Sequence, residues 1–224
     1  MPSRNVVKDY LENGVYHVYN RGIDKRIIFV DDADYKFFLY IMKSYILPLD
    51  QQKKLKMVKE GEVLKRGYFA GKIEIFAYAL MPNHYHLLIR QIGKHDLSEF
   101  MRSVMTTYVS YFNDKYDRGG HLFQGVYRAV LVENDDYLLH LSRYIHLNPV
   151  KNRSDLSRKR LVDQYTSCGD YIGERSSGWV MPEFILNYFA KMDQAGLYEA
   201  NSYEAFIRDL EVDENDYLGH YTLD

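Results

Sequence analysis

The strongest hydrophobic pattern in the chain is an apolar segment at residues 73–80, which a Pro-Asn turn separates from a second apolar segment at residues 84–90. Both segments are rich in β-branched and aromatic residues, so the pattern predicts a β-hairpin. Because successive side chains of a strand point to opposite faces, His84 and His86 project from one face and Tyr85 from the other. Imidazole is a common metal ligand, so this pair is a candidate metal site, although two half-exposed polar histidines are the more common outcome of such a motif.

Five other segments place apolar residues three and four positions apart, as amphipathic helices do. They are residues 35–42, 97–112 and 137–148, with two shorter ones at 184–189 and 203–208. The segment at 97–112 is preceded by the capping-box pattern Asp96-x-x-Glu99 and is followed by a pair of glycines, which gives it clear start and stop signals.

Two further strands are predicted, one at residues 14–22 and one within residues 121–132, which begin as a loop. The resulting order is strand, helix, strand, strand, helix, strand, helix. This order is that of a ferredoxin-like α+β domain, in which helices pack on one face of an antiparallel sheet. We expect residues 1–153 to form this domain and residues 154–224 to form an acidic, partly helical C-terminal extension.

The helix predicted at residues 137–148 has two different stripes. One stripe is apolar and is typical of a core-facing surface. The other is polar and consists of His140, Tyr144 and Asn148, which are four residues apart and therefore lie along one line of the helix. A solvated helix face is the simpler explanation for this line, and a set of site residues is the alternative.

Composition narrows the class of protein. The chain has 224 residues, 46% of them hydrophobic, which is enough for one sizeable core and a smaller appendage. No apolar run has the length of a membrane span and the N-terminus lacks the pattern of a secretory signal, so we expect a cytoplasmic protein without a membrane partner. The lone Cys168 excludes an intramolecular disulfide and agrees with a reducing compartment.

The charge distribution is uneven although the net charge is only −2. From Glu183 onward the chain holds ten acidic residues against Lys191 and Arg208, so the first four-fifths of the chain is mildly basic. That balance permits a polyanionic ligand. Basic stretches at residues 51–66 and 151–160 are either phosphate contacts or plain solvated surface. The 22 tyrosines also include enough candidates to stack on the bases of single-stranded nucleic acid.

Four short stretches in the same order carry a resemblance to a known family. They are residues 16–22, 81–86, 120–125 and 144–150. With a histidine pair in the sheet, a tyrosine 58 positions after His86 on a helix, and an amide one turn beyond it, the chain resembles the HUH-superfamily single-tyrosine transposases, particularly the REP-associated type. The resemblance covers roughly residues 14–151.

The resemblance implies roles for individual residues. His84 and His86 correspond to the metal ligands, Tyr144 to the nucleophile, and Asn148 to the position of a third, amide ligand. The implied metal is Mg²⁺ or Mn²⁺. The chain departs from the family pattern at Val126, where relatives commonly carry arginine, so a phosphate contact there has either moved to Arg128 or is absent.

The implied activity is that of a metal-dependent single-stranded DNA endonuclease and strand transferase, which cuts near DNA hairpins through a 5′-phosphotyrosine intermediate. A nucleoid-associated location follows from such an activity, and relatives occur both as homodimers and as monomers. The alternative is a domesticated protein that binds DNA hairpins without cutting them. A metal hydrolase that uses His84 and His86 with an activated water is a third class, but it leaves Tyr144 without a role.

Two sets of residues complete the predicted site. His140 lies one helical turn before Tyr144, and from this spacing we expect it to accept or return the phenolic proton. The second set consists of expected DNA contacts, which are Arg21, Lys53, Lys54, Gln124, Arg128, Lys151 and Arg153.

Overall fold

The computed structural model describes residues 10–54, 68–150, 161–162, 165–194 and 202–208. Four strands and seven α-helices occur in the described part of the chain. In order they are β1 (Val15–Arg21), α1 (Asp32–Ile46), α2 (Leu49–Lys54), β2 (Ile73–Met81), β3 (His84–Gln91), α3 (Asp96–Lys115), β4 (Arg128–Leu131), α4 (Asp135–Leu147), α5 (Cys168–Tyr171), α6 (Pro182–Gln194) and α7 (Tyr203–Arg208). None of these helices has both the length and the apolar character required to cross a membrane.

The four strands form one antiparallel sheet in the order β2-β3-β1-β4. Together with α1 and α3 as the connections, this is the ferredoxin-like arrangement, so the predicted fold class is confirmed. A bulge between Ile75 and Ala77 interrupts the pairing of β2 with β3. β2 and β3 are joined by the predicted tight turn, and the loop after β1 fixes that turn, because Gly22 N–H donates to Asn83 O and Phe29 N–H donates to Pro82 O.

The alternation of side chains gives the sheet two different faces. Tyr85 points to the face covered by α1 and α3, where its ring lies 5.4 Å from that of Phe38 and its hydroxyl contacts Met105 Sδ at 3.5 Å. His86 points to the opposite face, where its ring lies 5.3 Å from that of Tyr144 on α4. The two helices of the motif therefore bury one face, and α4 packs across the other.

Helix starts follow the predicted signals only in part. Asn134 caps α4 by accepting a hydrogen bond from Tyr137 N–H, and the sequence allows either Asn134 or Asp135 in this role. The predicted capping box at Asp96 does not form, because Asp96 is already the first residue of α3 and its carboxylate accepts from Gly93 N–H in the preceding turn. A capping box forms instead at the start of α1, between Asp31 and Asp34.

The described residues from Tyr165 to Val180 lie along the outer edge of β2. Ser167 N–H donates to Tyr78 O, Leu80 N–H donates to Tyr165 O, and Val180 forms a bridge to Ile75. This segment covers an edge whose backbone groups have no strand neighbour in the described sheet. The division of the chain at residue 153 stays a prediction, and the described residues on its two sides share one hydrophobic core.

Candidate active site

β1 and β3 bring three histidines to the face beneath α4. In the antiparallel register, His17 lies opposite Leu88 and Tyr19 lies opposite His86. Residues opposite each other share a face, and so do residues two apart, so His17, His84 and His86 project on the same side. The rings of His84 and His86 are 5.3 Å apart, and both side chains are buried.

α4 places Tyr144 directly over this cluster. The centroid of its ring lies 5.3 Å from that of His86 and 6.3 Å from that of His17, in edge-to-face orientations. The apolar stripe of α4 faces the core, and this fixes the rotation of the helix that directs Tyr144 toward the sheet. Tyr144 is 4% exposed, so its ring is buried between α4 and the sheet.

His84 lies between two asparagine side chains. Its Nδ1 is 2.6 Å from Asn83 Oδ1, and its Nε2 is 3.3 Å from Asn148 Oδ1. Asn83 is held in this orientation because its amide Nδ2 donates to Lys25 O at 3.3 Å. In a neutral imidazole only one nitrogen carries a proton. With the proton on Nδ1, where the contact is the shorter one, the lone pair of Nε2 is directed toward Asn148.

His86 pairs with His17 instead of an amide. His17 Nε2 and His86 Nδ1 are 2.8 Å apart, and both rings are fully buried. Burial lowers the pKa of His17 to about 3. Burial also lowers the pKa of His86 well below its usual value, with a further contribution from the neighbouring His17. Both rings are therefore uncharged at neutral pH, and one of them donates while the other accepts.

The donor set suits a divalent metal. His86 Nε2 is buried and has no hydrogen-bond partner in the described ranges, although a buried polar nitrogen normally has one. It lies on the same face as His84 Nε2, which is directed toward Asn148 Oδ1. Among the described residues, no group of three or more histidine, cysteine or carboxylate side chains is placed to hold a metal. The candidate set is therefore two imidazole nitrogens and one amide oxygen, a mixture that favours Mn²⁺ over Mg²⁺.

His140 is buried one turn before Tyr144 on α4. Its Nε2 is 3.6 Å from Asp136 Oδ1, and its ring lies 5.6 Å from that of Phe206 on α7. Burial lowers the pKa of His140, an effect that the carboxylate of Asp136 opposes. The histidines whose rings contact Tyr144 in the described structure are His17 and His86.

Some of the predicted DNA contacts lie near the histidines and others lie far from them. Arg21 lies opposite His84, and Arg128 lies opposite Tyr19, so both side chains start from the face that carries the histidines. Gln124 is exposed beside Arg21, to whose carbonyl it donates its N–H. Lys151 and Arg153 lie outside the described residues.

Lys53 and Lys54 lie at the other end of the sheet. They follow the C-terminal end of α1, where Tyr45 O accepts from Phe69 N–H shortly before β2 begins at Ile73. Because His84 is at the opposite end of the hairpin, the length of β3 separates these lysines from it by about 20 Å. Both lysines are exposed.

A cavity of about 530 Å³ opens beside His84 and Asn148. This size is within the range of about 300–1,000 Å³ that is usual for small-molecule sites. The rings of Tyr35 and Tyr165 are stacked at 3.9 Å in its wall, and Lys25 contributes a positive charge at its edge. The cavity thus combines aromatic, amide and cationic groups next to the candidate metal ligands.

His17 is the site residue that sequence reasoning missed. It lies within one of the stretches that carried the family resemblance, but the resemblance implied no role for it. The available signal was its spacing, because His17 and Tyr19 share a face of a predicted strand. Only the pairing of β1 with β3 reveals that this face is the one that carries His84 and His86.

Known proteins with a similar sequence or fold include transposases. Residues 50–148 match the family described as Transposase IS200 like. None of the curated proteins matches the chain. A solved structure of a REP-associated tyrosine transposase bound to a REP hairpin is similar at 15% identity and a TM-score of 0.51, covering 79% of this chain and 87% of that one. A candidate transposase from Deinococcus radiodurans R1 has 15% identity and a TM-score of 0.36, covering 65% and 95%.

Proposed function

Because residues 50–148 match the IS200-like transposase family and the chain has the fold of a REP-associated tyrosine transposase, we propose that this protein cuts and rejoins single-stranded DNA. The family match supports a transposase-like role with DNA as the partner. The finer proposal is a metal-dependent endonuclease and strand transferase that acts near DNA hairpins. The observation that carries it is the position of Tyr144, whose ring lies 5.3 Å from that of His86 on the face where His84 meets Asn148.

In this proposal His84 Nε2, His86 Nε2 and Asn148 Oδ1 would hold a divalent metal. When bound, Mn²⁺ or Mg²⁺ would supply a positive charge that polarises the scissile phosphate and stabilises the leaving oxygen. A phenol with a pKa near 10 is a poor nucleophile at neutral pH, so such assistance is required.

Tyr144 is the proposed nucleophile. Its phenolic oxygen forms a bond to phosphorus while the bond from phosphorus to the 3′ oxygen breaks, which gives a 5′-phosphotyrosine and a free 3′ hydroxyl. His140 is the proposed acceptor of the phenolic proton, a role that rests on its position one helical turn before Tyr144. The phosphodiester energy is retained in the new bond, so the reverse step joins strands without ATP.

The cavity beside His84 and Asn148 is the proposed path of the strand. A phosphate positioned between these two residues brings the adjoining nucleotide to the stacked rings of Tyr35 and Tyr165. Aromatic rings next to positive charge are the usual means of holding single strands. Arg21 and Arg128 project from the same face of the sheet and are proposed to contact neighbouring phosphates.

The test is incubation of the protein with a 5′-labelled and, separately, a 3′-labelled hairpin oligonucleotide carrying single-stranded flanks, in the presence of Mn²⁺. We expect strand cleavage together with a protein–DNA adduct that survives denaturation and carries only the 3′ label, because the new bond is to the 5′ phosphate. Binding without cleavage would favour the domesticated hairpin-binding protein. Cleavage without an adduct would favour a hydrolase that uses activated water.

A further inference from the structure

Three histidines share the face beneath α4, but only two of them have a place in the proposed metal site. His17 is fully buried, its ring lies 5.0 Å from that of His86 in a stacked arrangement, and it also contacts the rings of Tyr19 and Tyr144. Within the described part of the chain, the hydrogen bond of its side chain is the one to His86, between His17 Nε2 and His86 Nδ1 at 2.8 Å. We propose that His17 is a positioning residue, which accepts this hydrogen bond from His86 Nδ1–H and so keeps the lone pair of His86 Nε2 directed into the site.

The proton between the two rings has two possible positions, and they have opposite consequences. If His17 donates, the remaining proton of His86 is on Nε2, and that atom cannot bind a metal. If His86 donates, its Nε2 carries a lone pair and is a ligand. The two positions leave equal numbers of buried atoms without partners in the protein alone, so the count of partners does not decide between them. The inference rests on the proposed metal site, where His86 Nε2 needs a lone pair, and the arrangement around His84 supports it independently.

The neighbouring histidine supports the second position. His84 Nδ1 faces an oxygen acceptor, Asn83 Oδ1, at 2.6 Å, while its Nε2 is turned toward Asn148. His86 repeats this arrangement, with Nδ1 facing His17 and a buried Nε2 that has no partner among the residues the structure describes. Ligating histidines generally give their second N–H to an acceptor that fixes the tautomer and the ring orientation. Asn83 and His17 are then the two acceptors, one for each ligand.

The surroundings of His17 are consistent with a fixed hydrogen-bond acceptor. Its side chain is fully buried beneath α4, between the rings of Tyr19, His86 and Tyr144. Its stacking on His86 and its contact with Tyr19 restrict rotation of the ring. A side chain held in this way fixes the orientation of His86, whose ring packs against that of Tyr144, the proposed nucleophile.

The first test is the tautomer of His86 in the metal-free wild-type protein, read from long-range ¹⁵N–¹H correlation spectra and assigned by comparison with His86→Gln. We expect the proton on Nδ1 and none on Nε2. A proton on Nε2 of His86 would overturn the proposal. Because no metal is present in this measurement, it decides the role of His17 even if the proposed metal chemistry fails.

The second test uses a matched pair of variants, His17→Gln and His17→Met, which have side chains of similar length and volume. Gln can accept a hydrogen bond from His86 and Met cannot do so effectively. We expect Mn²⁺ affinity, measured by calorimetry on the folded proteins, to fall by about 10- to 100-fold in His17→Met and to recover largely in His17→Gln.

The outcomes distinguish a failure of the role proposed for His17 from a failure of the proposed metal site. Equal Mn²⁺ affinity in wild type and both variants would contradict the role of His17 while leaving the metal site in place. Failure of the wild type to bind Mn²⁺ would contradict the proposed function instead. Thermal unfolding of each variant shows whether the protein is folded, and if His17→Met does not fold, the tautomer measurement still gives the answer.

Discussion

Buried, uncharged histidines are an unusual feature of this chain at the scale of single residues. His17 and His146 are both fully buried, and burial lowers the pKa of each to about 3. An exposed histidine in the unfolded chain has a pKa near 6.5. The folded protein therefore binds fewer protons than the unfolded chain between these two values, and its stability depends on pH in that range.

The first prediction concerns this dependence. Below about pH 6.5 these histidines are protonated in the unfolded chain but not in the folded protein. The free energy of unfolding should therefore fall as pH is lowered, by up to about 1.4 kcal/mol per pH unit for each such histidine. Urea unfolding in EDTA at pH 7.5, 6.5 and 5.5 measures the slope. His146→Gln should reduce the change in unfolding free energy between pH 6.5 and 5.5 by about 1 kcal/mol, because an unfolded histidine goes from half to about nine-tenths protonated in this interval. Substitution of the exposed His95 should not change it. An identical slope in His146→Gln would contradict the burial argument.

The second prediction concerns the ligands. His84→Ala should lower Mn²⁺ affinity by at least about 100-fold and abolish cleavage, because it removes one of three proposed donors. His86→Gln should do the same while filling the buried space. His95→Ala is the control, since His95 is exposed on the turn before α3. Full metal-dependent cleavage by either site variant, with the control also active, would exclude the proposed ligand set.

The residues of the site could be predicted to different extents. The shared face of His84 and His86 follows from the two-residue period of a strand, which is local information. The position of His17 required the register between β1 and β3, which are separated by more than sixty residues. The contact between His84 and Asn148 likewise depends on how α4 crosses the sheet, and no local pattern specifies that crossing.

At the scale of elements, α4 is fixed from its far side by α7. Tyr203 on α7 forms hydrogen bonds with Ser142 at 2.8 Å and with His146 Nδ1 at 3.0 Å, and His146 Nε2 lies 2.8 Å from Ser167 Oγ. Ser167 in turn accepts from Tyr78 N–H on β2. These buried hydrogen bonds link α7, α4 and the sheet. They therefore help to fix the position of α4, which carries Tyr144, relative to the sheet.

The third prediction follows from this network. Tyr203→Phe should lower the free energy of unfolding by about 1–3 kcal/mol, because His146 Nδ1 and the hydroxyl of Ser142 are each deprived of a partner in a buried place. Chemical denaturation measures the change. Tyr68→Phe is the matched control, since Tyr68 is 44% exposed and should change the value by less than about 0.5 kcal/mol. Equal stability of the two variants would mean that α7 does not hold α4 through these bonds.

Sequence patterns predicted these elements better than their contacts. The spacing of apolar residues predicted α1, α3, α4, α6 and α7, and Asn134, which caps α4, was one of the two residues that could do so. The capping box assigned to Asp96 was wrong, because its carboxylate serves the turn that precedes the helix. Residues with the same local pattern can cap a helix or close a turn, and the path of the chain before the helix decides between them.

At the scale of the whole molecule, the proposed site occupies one end of the sheet. The predicted DNA contacts lie at both ends, with Arg128 on the face of the site and Lys53 and Lys54 at the opposite end. The order of strands and helices was sufficient to predict the ferredoxin-like sheet, since that order permits few topologies. The path of the C-terminal residues along β2 was not predictable, because it depends on long-range pairing.

The fourth prediction uses the separation of these charges. Removal of one side chain that neutralises a phosphate of a single strand should reduce the slope of log affinity against log salt by about 0.7. With an oligonucleotide of about six nucleotides, Arg128→Gln should reduce the slope, and the double variant Lys53→Gln, Lys54→Gln should not. With about twenty nucleotides, both should reduce it. Fluorescence anisotropy at several salt concentrations gives the slopes, and an unchanged slope in all cases would place these residues on plain solvated surface.

The central claim is that Tyr144 alone among 22 tyrosines becomes joined to DNA. The most direct measurement is mass-spectrometric peptide mapping of the covalent adduct formed with a hairpin oligonucleotide in Mn²⁺. We predict that the nucleotide is on the peptide containing Tyr144, and that Tyr144→Phe binds the DNA without forming an adduct. Tyr137→Phe should still form it, because Tyr137 lies two turns earlier on the same helix, about 10 Å along its axis. An adduct on any other tyrosine, or an undiminished adduct in Tyr144→Phe, would contradict the account.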